Sequence, residues 1–407
     1  MKKKIIGIFV DSKKISGGAY QELLYNIDEL VKNGGNYEYK IIFSSKNLKI
    51  DTSNINVSFY YLNIGPLDRY ICYLRNFGNL TRRLKNIFFF KNKFEKFLKK
   101  NLIDLVYFTG PSQYSLYLEN TKYFITVPDV MFREFNELPE FVDNGEFVRK
   151  NEILTKSLPR AVKVITNAKI IKDKILNFFN VEEKRIILIN HRPSLSVQNF
   201  NKPNQNTLKE IRNKYDLPKK YIFYPSMYLP HKNHKIIIDV IHEIKKNFKK
   251  NLDVVFCGND IGYLKKIKDY SKEKNVFDQF KFLGFVEDET LPYLYFDSHL
   301  VLMTHISGPT MIPPWEAFKM QKPVIFPNLE GIKEVLSDSV CYADPFDVSE
   351  ITEKVVQLYE SDELIREYIK KGSAKYIELQ EANEFRKIIK EFDNFFKIRS
   401  LWDYEDY

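Results

Sequence analysis

A chain of 407 residues, 44% of them apolar, is longer than one hydrophobic core ordinarily serves, so two domains of about 150 to 200 residues each are expected. The 33 Phe and 26 Tyr exclude an intrinsically disordered chain, and no run approaches the roughly 18 uncharged apolar residues of a membrane span. A net charge of +10 is compatible with nucleic acid, anionic lipid or a phosphorylated ligand, while Cys72, Cys257 and Cys341 stand too far apart for a disulfide framework or structural zinc and fit a reducing cytoplasm.

The opening MKKKIIGIFVD pairs basic with apolar residues, but the apolar run stops at Asp11, too short for an export signal. Residues 5–10 read as a strand, 19–32 as a helix, and 39–43, 104–108, 123–127 and 162–166 as further strands. A polar stretch follows over 194–207, rich in Asn, Gln, Ser and Pro, where the interdomain connection is expected. The pattern then restarts with strands at 221–224, 253–257, 279–283, 300–303 and 323–325. Short apolar runs alternating with amphipathic stretches predict an α/β fold with parallel sheets in βα units. The expected domains are 1–193 and 208–382. A last helical pattern within 383–407 carries Phe385, Ile388, Ile389, Phe392, Phe395 and Phe396 at helical spacing and is expected to pack back on the first domain.

Ligands of doubly wound sheets bind beyond the carboxyl ends of the strands, which directs attention to four loops. Ser16-Gly17-Gly18-Ala19 precedes the first helix, where glycine lets backbone N–H groups approach an anion; GxGxxG is absent, against an NAD enzyme. Ser226 to His234 bring Lys232 to the mouth of an apolar helix, where it would neutralise a diphosphate with help from His231 or His234. Neither histidine has a carboxylate or cysteine at metal-ligand spacing, so no metal is expected. Phe282 to Val286, with Phe285 and Val286, would offer backbone to a base edge; the acids 287–289 would open the next helix. The segment from Thr304 to Ala317 holds His305, Gly308, Pro309, Thr310 and Met311, and Glu316 is expected to begin a helix with its carboxylate suited to sugar hydroxyls.

In this order the motifs resemble the family 4 retaining glycosyltransferases of the GT-B fold. The likeness runs from Tyr221 to about Gly372, through His231-Lys232-Asn233-His234, the strand end at Gly258, Phe282 to Val286, Pro313 to Ala317, Lys322 to Ile325 and Tyr342 to Pro345. A weaker likeness covers Gly17-Gly18, Thr126-Val127-Pro128-Asp129 and Leu138-Pro139-Glu140-Phe141. The resemblance implies two Rossmann-like doubly wound domains facing a cleft, and a retaining hexosyl or deoxyhexosyl transfer from a nucleotide diphosphate sugar, without cofactor or metal. The acceptor it implies is a glycan or lipid-linked glycan. Lys232 would contact the donor diphosphate, Glu316 the ribose or donor sugar, backbone N–H groups from Gly308 to Met311 the phosphate, and Asp129 would orient acceptor or donor. Ser226, Gly258 and His305 would complete the donor surroundings. Three positions depart from the pattern: Gly308 stands where a first glutamate is usual, Pro128 replaces a histidine before Asp129, and Ser226 or Met227 occupies the place of an arginine.

Residues 75–100 are basic and aromatic and are expected to suit an anionic membrane surface, through Arg82, Arg83 and Lys85 around Phe88-Phe89-Phe90. Nucleic acid is not an expected partner, because the basic residues are not interleaved with a reading motif. Two other readings stay open: a non-catalytic nucleotide-sugar or glycan binder, and another GT-B enzyme such as an epimerase or phosphorylase.

Overall fold

The computed structural model describes residues 3–11, 17–44, 57–62, 64–77, 92–142, 145–308 and 312–402. Two parallel sheets account for the strands. The first has the order β3-β2-β1-β4-β5-β6-β7 and the second β10-β9-β8-β11-β12-β13. In the first sheet β1 is Ile5–Val10, β2 Glu38–Phe43, β3 Ser58–Tyr61, β4 Leu105–Phe108, β5 Lys122–Thr126, β6 Lys163–Thr166 and β7 Ile186–Leu188. In the second, β8 is Tyr221–Pro225, β9 Asp253–Cys257, β10 Phe280–Phe282, β11 Leu300–Leu302, β12 Val324–Pro327 and β13 Cys341–Ala343. β1 and β8 are continuous hydrophobic runs because helices cover both faces of each sheet; all six residues of β1 are buried. Strand order reverses at β1/β4 and at β8/β11, and these are the points where such sheets open a crevice.

The stretch 194–207, where the interdomain connection is expected, contains the short helix Leu195–Gln198 with Val197 fully buried, and then enters the helix Gln205–Tyr215 through an Asn204 cap. β3, β7 and β13 carry no clear strand pattern in the sequence: β3 is largely exposed, and the other two span three residues each.

The helix Arg386–Arg399 lies against one face of the first sheet. Phe385, Ile388, Phe392, Phe395 and Phe396 join Ile6, Ile8, Val10, Tyr107 and Phe124 in one apolar cluster. Phe392 meets Phe124 with ring centroids 5.0 Å apart, and Phe396 stacks on Tyr37 at 5.3 Å. The contact is closed at its edge by Arg399 with Asp104 (3.1 Å) and Lys163 with Glu391 (2.9 Å). Burying five such side chains at about 1.5–3 kcal/mol each makes apolar packing, not the ion pairs, the larger stabilising term.

Of the basic stretch 75–100, residues 78–91, including Arg82, Arg83, Lys85 and Phe88 to Phe90, lie outside the described residues. Arg75 forms a two-pronged pair with Glu119, at 2.6 and 3.1 Å. The helix Lys93–Lys100 turns Phe94 and Leu98 into the core, so its apolar face is already covered. Among the described residues no helix is long and apolar enough to cross a membrane.

Candidate active site

The carboxyl ends of the two sheets enclose a cavity of about 360 Å³. Its C-terminal wall is made by the loops after β8, β9, β10 and β11, through Ser226, Met227, Lys232, Gly258, Phe285, Val286, Ser307, Gly308 and Glu316. Its N-terminal wall is made by Gly17, Gly18, Gln21 and Glu22 of the first helix, Pro128 and Asp129 after β5, and His191 after β7.

Lys232 ends a single 3-10 turn, Pro230–Lys232, directly before the apolar helix His234–Asn247. Its side chain is buried, and burial lowers its pKa to about 8 although the carboxylates of Asp129 and Glu140 favour the ammonium. The backbone here is anchored: Tyr224 donates its hydroxyl to the Lys232 carbonyl, and Asn233 Nδ2 donates to the Pro345 carbonyl at 2.8 Å. Beside it, Gly258 cannot be replaced without rearrangement, because a Cβ there would stand 2.3 Å from the Ser226 carbonyl oxygen. That close approach, with Ser226 N donating to the Cys257 carbonyl (2.7 Å) and Gly258 N to the Gly284 carbonyl (2.8 Å), binds three strand ends into one floor.

The three histidines of the expected site are placed differently: His231 lines the cavity, whereas His234 and His305 do not. His231 Nδ1 lies 2.6 Å from Glu140 Oε1, which also accepts from the His231 backbone N–H at 3.3 Å. Burial lowers the His231 imidazole further than Glu140 raises it, so a neutral ring donates to a carboxylate of the opposite domain. Burial favours the protonated Glu140, yet the His231 hydrogen bonds outweigh it and hold the carboxyl below its ordinary range. His234 is packed between Tyr224 and Tyr228, each 4.8 Å away, and burial takes its imidazole down to about 3. His305, expected near the donor, is fully buried edge-on against Phe326 at 5.1 Å and does not line the cavity. Pro309, Thr310 and Met311 lie outside the described residues.

Glu316 does not begin its helix; it sits in the fifth position of Ile312–Lys319. Its carboxylate accepts from the Ser194 hydroxyl at 2.5 Å and the Ser194 backbone N–H at 3.2 Å, which ties the C-terminal wall to the segment that crosses between the sheets. Burial raises its carboxyl above the ordinary range. Nor do residues 287–289 open a helix, which starts at Leu291; Asp288 faces the cavity and pairs with Gln21.

Gly17 caps the helix Gly18–Asn33 with φ +91°, a conformation glycine adopts without strain, and a Cβ there would stand 3.6 Å from Met227 Sδ across the cleft. Asp129 accepts from Met131 N at 3.1 Å and borders both this cavity and a smaller one of about 140 Å³. Four polar residues escaped the sequence reading: Glu22, Gln21, Asn167 and His191. Helical spacing was the available signal for Glu22, one turn beyond Gly18, and position after a strand for Asn167.

Residues 207–375 match the family described as Glycosyl transferases group 1. Through this segment, about two fifths of its length, the chain is similar to that family. The O-antigen chain mannosyltransferase RfbU of Salmonella typhimurium is 26% identical over 227 residues, 55% of this chain and 57% of the relative. The O-antigen chain mannosyltransferase B of Escherichia coli is 23% identical over 226 residues, 55% of this chain and 58% of the relative. The chain thus spans a little over half the length of these relatives. Among solved structures, a glycosyltransferase of Rickettsia africae superposes with a TM-score of 0.71 at 16% identity, covering 98% of this chain and 100% of that one. Anabaena HepE in complex with UDP-glucose superposes with a TM-score of 0.69 at 16% identity, over 97% and 99% of the two chains. The fold is GT-B.

Proposed function

We propose that this protein is a glycosyltransferase that moves a hexosyl or deoxyhexosyl group, with retention, from a nucleotide diphosphate sugar to a glycan or lipid-linked glycan in surface polysaccharide assembly. One observation carries the reading: a buried lysine, Lys232, stands on a floor of three tied strand ends inside a cleft between two Rossmann-like sheets. In that low-dielectric setting a fixed ammonium stabilises a departing diphosphate more strongly than water does. Charge compensation falls to Lys232 and to backbone N–H groups in the segment that begins at Gly308, so the transfer is proposed to need no metal. Because the departing phosphate oxygen takes the acceptor hydroxyl's proton on the same face, no protein nucleophile is required. Asp129, on the opposite wall, orients the reacting sugar. The named relatives, both O-antigen mannosyltransferases, support a hexose donor and a polysaccharide product. Residues 75–100 are proposed to meet an anionic membrane surface, at the inner face of the membrane if the acceptor is lipid-linked.

The engagement of Glu316 by Ser194 favours a second reading, a nucleotide-sugar binder without transfer. Incubation with labelled UDP-, GDP-, dTDP- and CDP-sugars separates the two. Release of nucleoside diphosphate, by transfer or slow hydrolysis, with the anomeric configuration kept, supports the enzyme; binding with no turnover of any donor supports the binder.

A further inference from the structure

The N-terminal wall holds a polar pair that the diphosphate does not explain. Glu22, on the first helix, lines the cavity with its side chain 17% exposed, and His191 lines it beside Glu22 with 7%. His191 Nδ1 and Glu22 Oε1 are 3.6 Å apart, too far for a hydrogen bond.

The proton on the ring is placed by its neighbours. The Pro128 carbonyl can only accept, and Asn167 Nδ2 lies 3.1 Å from it, so the Asn167 amide presents its NH2 group there. The same Nδ2 lies 2.5 Å from His191 Nε2. The amide meets the ring as a donor, so Nε2 accepts and the ring hydrogen is on Nδ1. Among the described residues His191 Nδ1 has no hydrogen-bond partner, although it is buried. A buried donor left unpaired is costly, and it persists where a ligand completes it.

We propose that Glu22 and His191 hold a hydroxyl of an uncharged sugar ring of the acceptor glycan. This rests on the glycosyltransferase reading above. A hydroxyl gives one hydrogen bond and accepts others, and the pair offers the complement, a carboxylate that accepts and an N–H that donates. An oxygen on the cavity side of both atoms can reach each at about 2.7–3.0 Å, which their mutual spacing allows. The wall favours the acceptor over the donor diphosphate: among the described residues it offers the carboxyl groups of Glu22 and Asp129 and no lysine or arginine, which disfavours phosphate and suits a neutral polyol, and burial raises the Glu22 carboxyl above its ordinary range. His191 and Glu22 are positioning residues; Asn167 and the Pro128 carbonyl fix the tautomer they need.

The test measures two bindings on the whole protein: nucleotide, by thermal shift, and methyl α-D-mannopyranoside, α-D-glucopyranoside and α-D-galactopyranoside, by saturation-transfer NMR with the bound nucleotide present. Glu22→Ala and His191→Ala are expected to weaken glycoside binding about tenfold or more while nucleotide binding holds within about twofold, since each removes one hydrogen bond involving a charged or buried group. Glu22→Gln, which keeps an accepting oxygen, is expected to restore most of it, and Lys232→Ala to show the reverse pattern. The retained nucleotide shift reports that each variant is folded. Unchanged glycoside binding in the alanine variants, no glycoside signal in the wild-type protein, or a parallel loss of nucleotide affinity would each overturn the proposal. Absence of nucleotide binding in every form, with glycoside binding still dependent on Glu22 and His191, would instead remove the glycosyltransferase reading and leave a sugar site.

Discussion

The two walls of the cleft are made from different chemistry. Among the described residues that line it, the only lysine or arginine is Lys232, on the C-terminal wall, where the Glu316 carboxylate is engaged by Ser194 and Asp288 pairs with Gln21. The N-terminal wall presents Glu22, Asp129 and His191. The one cation among the described lining residues thus stands on a single wall, and Glu140 and His231 join the two walls at the rim.

The largest effect is expected where the N-terminal wall is supported from behind. Phe392 is fully buried between Tyr107, Phe124 and Tyr37, so Phe392→Ala should cost about 3–5 kcal/mol, read as a large fall in the urea midpoint. Next comes the cation. Lys232→Ala should lower single-turnover transfer about 100-fold or more, because one preorganised charge in a dry site supplies about 2.7 kcal/mol or more; a loss under tenfold would detach the donor from this wall.

The two walls were not equally legible in the sequence, and the reason is physical. The C-terminal wall is built from short loops that each follow one buried apolar strand, so Ser226, Lys232, Gly258 and Gly308 stand within a few residues of a recognisable run. The N-terminal pair needs Glu22, Asn167 and His191 to meet across long separations, and β7 ahead of His191 is a three-residue strand with no pattern of its own. What the sequence could not convey even on the C-terminal wall was partnership. His231 and Lys232 are neighbours in one motif and both line the cavity, yet only His231 bonds the carboxylate of Glu140; His305 resembles a site residue and is core. The helix start expected at Glu316 lies four residues too late, because Ile312, Pro313 and Pro314 already occupy the first turn, where proline's missing N–H costs nothing.

A smaller effect sharpens the contrast through pH. The folded-state pKa of Lys232 is lowered to about 8, below its unfolded value, so the unfolded chain binds the proton more readily and stability without ligand rises between about pH 8 and the ordinary lysine range. Nucleotide affinity runs the other way, falling by up to about tenfold per pH unit above pH 8 as the ammonium is lost. Calorimetric titration against pH should show this fall in the wild type and its absence in Lys232→Met. The smallest effect belongs to the rim: Glu140→Gln should cost about 1 kcal/mol at neutral pH. Because the Glu140 carboxyl is held below its ordinary range, its contribution is present above that range and lost as pH falls through the lowered pKa, so wild type and variant should converge in acid.

The central claim, that the C-terminal wall holds a nucleotide diphosphate through Lys232, is tested most directly by a thermal-shift screen of the wild-type protein and Lys232→Ala against UDP, GDP, dTDP and CDP. Stabilisation of the wild type by one nucleotide, about 2.7 kcal/mol at a hundredfold excess over Kd and largely absent in the variant, is the predicted result. No shift with any nucleotide, or an equal shift in both proteins, would contradict it.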